Sequence, residues 1–163
     1  MRAKRSADAG EPAEWTAATV EAAAVRLLAR REHSRAELAR KLEERGVPAE
    51  LAAETLDSLA ARRLQSDARY AEVLIASRAG RGQGPVRIRR ELAERGVAAA
   101  IIDAAFDAAG TDWFELARQV RRRRFGAGEA PGEWEARVRQ SRFLEYRGFS
   151  SDQIRHAFGH DDD

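Results

Sequence analysis

The sequence predicts an all-α protein, three tandem three-helix repeats of helix-turn-helix-like type forming an elongated curved array, and three observations predict it. A short pattern occurs three times, as Leu42-Glu43-Glu44-Arg45-Gly46-Val47, Leu92-Ala93-Glu94-Arg95-Gly96-Val97 and Leu144-Glu145-Tyr146-Arg147-Gly148-Phe149. Its glycines, at 46, 96 and 148, lie 50 and 52 residues apart; Ala52, Ile102 and Ile154 follow six residues on, and Leu56, Phe106 and Phe158 ten residues on. Self-similarity at such a period marks units that cannot each bury an apolar face alone and so must stack. Composition is the second observation: 44% of the 163 residues are apolar, yet aromatics are few, and alanine, leucine, glutamate and arginine dominate, all strong helix formers. Third, no run alternates β-branched with polar residues as a half-buried strand would.

The repeated pattern reads as one helix ending and the next beginning. Leucine faces the core in the last full turn, arginine suits the negative end of the helix dipole, and glycine supplies the left-handed residue that closes the helix. The arginine before each glycine is on this reading structural.

Nine helices follow in chain order. In a first repeat over residues 16–65, Val20, Ala24, Leu27 and Leu28 make one stripe. Ser34 with Glu37 forms a capping box that opens a second helix bearing Leu38 and Leu42, and Leu51, Thr55, Leu56, Leu59 and Leu64 line a third. Helices this short are marginal alone in water, where the limit is roughly 12 to 15 residues, so packing must hold them. In a second repeat over residues 66–110, Ser66 or Asp67 caps a helix carrying Tyr70, Ala71, Leu74 and Ile75. After a glycine loop, Pro85 takes the favoured first helical position before Ile88 and Leu92, and Ile101, Ile102, Ala105 and Phe106 face the core from the third helix. In the third repeat, residues 111–159, Asp112 and Glu115 suggest a capping box before Trp113, Leu116, Ala117 and Val120. A longer loop spans Gly126 to Gly132, and two further helices run from about Glu133 to Arg147 and from Asp152 to Phe158. Residues 1–15 are expected to be a disordered tail, and 160–163 an acidic one.

Charge and residue types narrow the function classes. Cysteine is absent, which removes disulfide and thiolate chemistry and suits a reducing cytoplasm. No stretch of 18 uncharged apolar residues exists for a membrane span, and the first 14 residues lack the apolar run of a signal peptide, so the chain reads as cytoplasmic. Only three histidines occur, His33, His156 and His160, without cysteine partners or paired spacing, so neither a metal site nor a general base has its usual parts. His33 reads as the residue before a helix cap, and Asp161 to Asp163 as a frayed end. The expectation is a protein without enzymatic activity, metal or cofactor.

The basic residues are almost all arginine, the exceptions being Lys4 and Lys41. With residues 1–19 and 160–163 set aside, 26 basic side chains stand against 21 acidic ones, an excess of five. Residues 118–124 hold five arginines and no acid. On the first helix of the third repeat, Arg118 and Arg122 are placed opposite the apolar stripe, with Arg121 and Arg123 flanking. On the second helix of the second repeat, Arg87, Arg89 and Arg90 point away from Ile88 and Leu92. These are either solvated faces or basic patches able to meet DNA phosphate or an acidic protein surface. The loop Gly80-Arg81-Gly82-Gln83-Gly84-Pro85 lacks the spacing of a nucleotide-phosphate loop. It is either an ordinary connection or a place where Arg81 and a helix N-terminus hold an anion.

Taken together and in order, Ser34-Arg35-Ala36-Glu37-Leu38 with Leu42 and Gly46, Asp67-Ala68-Arg69-Tyr70-Ala71, Gly82-Gln83-Gly84 with Ile88 and Leu92 to Val97, and Phe143-Leu144 with Arg147-Gly148-Phe149 resemble the successive motifs of the RecX family, over about Val20 to Phe158. That family comprises small bacterial regulators of the RecA recombinase built from tandem three-helix repeats. The resemblance implies a monomeric negative regulator that binds the RecA filament on single-stranded DNA and inhibits its ATPase, strand-exchange and co-protease activities by occupancy. Arg81, Arg87, Arg89, Arg90, Arg118, Arg121, Arg122 and Arg123 are the candidate contacts to partner or nucleic acid. A stand-alone helical DNA-binding module is the alternative, since three-helix units resemble helix-turn-helix domains, and a scaffold or adaptor is a third.

Overall fold

The computed structural model describes residues 14–128 and 132–159; residues 1–13 of the tail expected over 1–15, the expected acidic tail at 160–163 with His160 and Asp161 to Asp163, and the middle of the loop after Gly126 lie outside the described residues. Among the described residues every regular element is a helix. The chain divides into two compact units, one ending at Asp67 and the other beginning at Ala68.

The first unit holds α1 (Ala17–Arg30), α2 (Arg35–Glu44) and α3 (Ala49–Ala61). Reciprocal capping boxes open two of them, Thr16 with Thr19 on α1 and Ser34 with Glu37 on α2. Val20, Ala24, Leu38, Leu42, Leu56 and Leu59 form the centre of its core, with Leu27, Leu28 and Leu51 packed at the edge. Trp15, the last residue of the segment expected to be a tail, also packs against this core. Leu64 departs from the expectation: α3 stops at Ala61, and Leu64 lies beyond it with 45% of its surface exposed.

The end of α2 shows why the repeated pattern has its residues. The Gly46 amide donates to the Glu43 carbonyl and the Val47 amide to the Leu42 carbonyl, with Gly46 at φ +82°. This is a Schellman closure, completed by Val47 and Leu42 meeting in the core. The same pair of bonds recurs at Gly96 with Val97 and at Gly148 with Phe149, and a fourth time at Gly82 with Gln83. Three appearances of the motif are therefore three copies of one helix ending.

The second unit holds α4 (Asp67–Gly80, apart from its first residue), α5 (Pro85–Glu94), α6 (Ala99–Ala109), α7 (Trp113–Phe125), α8 (Trp134–Arg147) and α9 (Ser151–Ala157). Tyr70, Leu74, Ile75, Ile88, Leu92 and Phe106 centre one core; Ala117, Val120, Leu144, Phe149 and Ala157 centre another. Trp113 does not join the α7 stripe as expected. It sits against the first of these cores, with its ring centroid 5.5 Å from that of Phe106. At the start of α7 the Asp112 carboxylate accepts from the Glu115 amide. Ser150 and Gln153, a pair not singled out from the sequence, form a full capping box on α9.

The glycine loop between α4 and α5 is not a loose connection, and the α5 N-terminus that follows it is taken up by main-chain carbonyls rather than left open. The Gly84 amide donates to the Arg147 carbonyl at 2.8 Å and the Val86 amide to the Gly148 carbonyl at 2.9 Å. The exposed carbonyls at the end of α8 thus satisfy amides at the start of α5, negative dipole end to positive. A Cβ on Gly84 would run into the Gly148 backbone, and one on Gly148 would run into Arg87.

Candidate interaction surface

The eight arginines singled out from the sequence fall into three structural roles. Arg121 is a correction: it is buried, only 5% exposed. Its Nε donates to the Ala157 carbonyl at 2.8 Å, and its guanidinium lies 5.5 Å from the Phe158 ring centroid and reaches the Gln140 side chain. Burial, followed by the neighbouring Arg122 charge, lowers its pKa from the ordinary value. It fastens α7 to α9 and offers nothing to a partner. The helical spacing contained the signal, since 121 lies four residues after the core residue Ala117 and next to Val120.

Two more arginines face solvent but are engaged within the fold. Arg118 is half-buried; its guanidinium stands 2.6 Å from Nε2 of His156 and 3.4 Å from the Glu115 carboxylate. Arg89 pairs with Asp103 at 2.6 Å and lies over the Phe106 ring. Neither stands as the open cation that the sequence suggests, although exposed pairs of this sort are worth only about 1 kcal/mol or less and can be exchanged for a partner's acid.

The remaining five are exposed. Arg81, Arg87 and Arg90 line a groove of about 1000 Å³ between the α4–α5 region and α8. Arg78 and Glu91 form a bidentate pair in its wall at 2.7 and 2.9 Å. The hydrogen bond to Arg78 holds the Glu91 carboxyl below its usual range and raises the Arg78 guanidinium. Tyr146 stands at the rim, 75% exposed, with the Arg87 guanidinium 5.4 Å from its ring centroid. Arg142 of α8 faces the same groove, and its contribution was not legible because α8 shows no clear apolar stripe from which to read an outer face.

Arg122 and Arg123 project from the last turns of α7. Arg123 meets Arg81 across a smaller cleft of about 260 Å³ together with Arg124 and Arg147. The structure therefore brings together one member from each of two basic patches that looked separate in the sequence, and adds two arginines that were not singled out. Among the described residues no group of three or more histidine, cysteine or acidic side chains is placed to hold a metal ion.

Consecutive three-helix domains, each with the same glycine ending on its second helix, define an all-helical tandem-repeat protein. Family models for the first, second and third three-helix domains of RecX match residues 22–59, 66–105 and 111–158 respectively. This chain belongs to the RecX family. It is 51% identical over 135 residues to the regulatory protein RecX of Halorhodospira halophila, covering 83% of each chain. Against the regulatory protein RecX of Ectopseudomonas mendocina it is again 51% identical over 135 residues, covering 83% of this chain and 89% of the relative. The fold is similar to the crystal structure of RecX from Lactobacillus salivarius, with a TM-score of 0.75 at 21% identity over 88% of this chain and 94% of that one.

Proposed function

We propose that this protein is a negative regulator of the RecA recombinase, binding the RecA filament on single-stranded DNA and inhibiting its ATPase, strand-exchange and co-protease activities. The observation that carries the reading is the ordered match of all three RecX domains along one chain. The basic surfaces suit it: Arg81, Arg87 and Arg90 on the groove, with Arg122 and Arg123 on α7, are exposed cations carried on or directly beside helices rather than on long loops. The protein acts by occupancy as a cytoplasmic monomer, without catalysis or cofactor of its own.

Titration of this protein into RecA hydrolysing ATP on single-stranded DNA tests the proposal. Inhibition well below one molecule per RecA points to action at filament ends, and inhibition only near equivalence to occupancy along the filament. An unchanged rate at large molar excess defeats the reading. Replacing Arg81, Arg87 and Arg90 together by alanine should weaken inhibition and its salt sensitivity while leaving helicity intact. A variant that loses binding to naked DNA yet still inhibits would instead favour the DNA-module alternative for that face.

A further inference from the structure

The cleft of about 260 Å³ carries four arginines, Arg81, Arg123, Arg124 and Arg147, and among the described residues no acidic side chain lines it. We propose that it is a phosphate-binding cleft whose ligand is the phosphodiester backbone of nucleic acid, held without regard to sequence. Such a site lies beyond RecA regulation and needs no recombinase.

Convergence comes from the tertiary fold. Arg81 follows the end of α4, Arg123 and Arg124 lie in the last turn of α7, and Arg147 closes α8. Three helix C-termini, each worth about half a negative charge, face four full positive charges, so the cleft remains strongly positive. Self-neutralisation of the helix ends does not account for the cluster either. Among the described residues, Arg147 alone of the four has a hydrogen bond to a main-chain carbonyl, that of Arg81 at 3.2 Å, and none of the four makes an ion pair.

Two of the guanidiniums are also pre-positioned. Arg147 and Arg124 lie 5.4 and 6.0 Å from the Phe143 ring centroid, and Phe143 is itself braced edge-on by Phe125 at 5.3 Å. Cation–π contact of this kind restrains a guanidinium, whose N–H edge can grip a tetrahedral anion in a bidentate manner. Gly82 forms part of the wall at φ +77°, where a Cβ would stand 3.0 Å from Val120 Cγ2.

The same geometry selects the ligand. A single carboxylate is satisfied by one arginine fork, whereas four forks around one small cleft suit the spread negative charge of phosphate. Among the described residues lining the cleft the aromatic ring is that of Phe143, already engaged by Arg147, Arg124 and Phe125, and no amide side chain is present to read a base edge. Recognition is thus of the backbone alone.

The test is binding of the full chain to fluorescein-labelled oligothymidylate, followed by anisotropy from low to moderate salt, with no RecA present. Wild type should bind with affinity that falls steeply with salt. Arg81→Gln/Arg123→Gln, both exposed positions, should weaken binding on the order of tenfold and flatten the salt slope by roughly 1.4, or about 0.7 for each phosphate no longer neutralised. Arg26→Gln/Arg139→Gln removes the same charge from exposed sites outside the cleft and should bind like wild type; equal weakening in both pairs overturns the proposal. Arg81→Lys/Arg123→Lys keeps charge but removes the forks, and serves if the glutamine pair unfolds: it should lose affinity while keeping most of the slope, and wild-type affinity in it overturns bidentate capture. Competition separates the sources. Displacement of the oligonucleotide by pyrophosphate far beyond sulfate of equal ionic strength would assign the cleft to free phosphates, displacement by polyglutamate as readily as by DNA would assign it to an acidic protein, and either result overturns the nucleic-acid assignment. Because RecA is absent, failure here leaves the regulatory reading standing, and failure of that reading leaves this one.

Discussion

Gly84 and Gly148 meet backbone to backbone, so that the start of α5 is capped by the end of α8. The Gly84 amide bonds the carbonyl just before Gly148, and the Gly148 carbonyl accepts the Val86 amide. A side chain on either glycine would collide with main-chain or Cβ atoms of the other segment. The same glycine type at Gly46 has open space around it.

Alanine substitutions should therefore separate two roles of one motif. Gly46→Ala meets only the penalty for left-handed backbone, about 1 kcal/mol. Gly148→Ala adds a clash that no rotamer relieves, since the atoms met include the Arg87 amide at 2.8 Å, and should cost about 3 kcal/mol or more. Gly84→Ala should behave like Gly148→Ala. Urea unfolding followed by circular dichroism checks the order, and equal losses at Gly46 and Gly148 would contradict the close approach.

Arg121 and Arg123 should part in the same way, by two residues of sequence. Arg121→Ala leaves the Ala157 carbonyl and the Gln140 side chain without a donor in the interior, a loss of about 2 to 4 kcal/mol. Arg123→Ala on the exposed side should stay within about 0.5 kcal/mol. Thermal unfolding of the two single variants measures this, and a stable Arg121→Ala would mean that the buried fastening is dispensable.

The first unit should lose stability as pH falls from neutrality. His33 is buried, its ring Nδ1 stands 3.0 Å from the Arg31 carbonyl, and desolvation, before any other influence, lowers its pKa below the ordinary 6.5. A base whose folded pKa is depressed takes up its proton more readily when unfolded. Its contribution to stability is thus complete above about 6.5 and declines as pH drops below that value towards the folded pKa. His33→Gln should flatten the dependence of unfolding free energy on pH in that range; an unchanged slope would show that another group is responsible.

At lower pH the pair of Arg78 and Glu91 should dominate the second unit. The bond to Arg78 lowers the Glu91 pKa from its ordinary 4.5. The unfolded carboxylate therefore protonates first, so the stability is present above about 4.5 and is lost as pH falls through the depressed folded value. Glu91→Gln should remove this acid sensitivity along with the ion pair, read as the change of melting temperature on acidification from above to below that value. A variant as acid-sensitive as wild type would place the sensitivity elsewhere.

Helices, their endings and the family could all be read from the chain before any coordinates. Each depends on residues near in sequence: the Ser34 to Glu37 box, the Gly46 closure and the 3.6-residue stripes all act within one or two turns, so spacing alone expresses them. The first and second cores were legible for that reason, and so was the absence of strands among the described residues. What the arginines do was settled by packing in three dimensions. Arg121 turned inward because α9 presents a free carbonyl and an aromatic face to that side of α7, Arg89 found Asp103 across a turn, and Trp113 crossed to the Phe106 core. Arg81 and Arg123, 42 residues apart, became neighbours in one arginine-lined cleft through the packing of α4, α7 and α8. A long charged side chain has no local rule that fixes its partner; its role is set by what the folded chain brings within reach of its guanidinium.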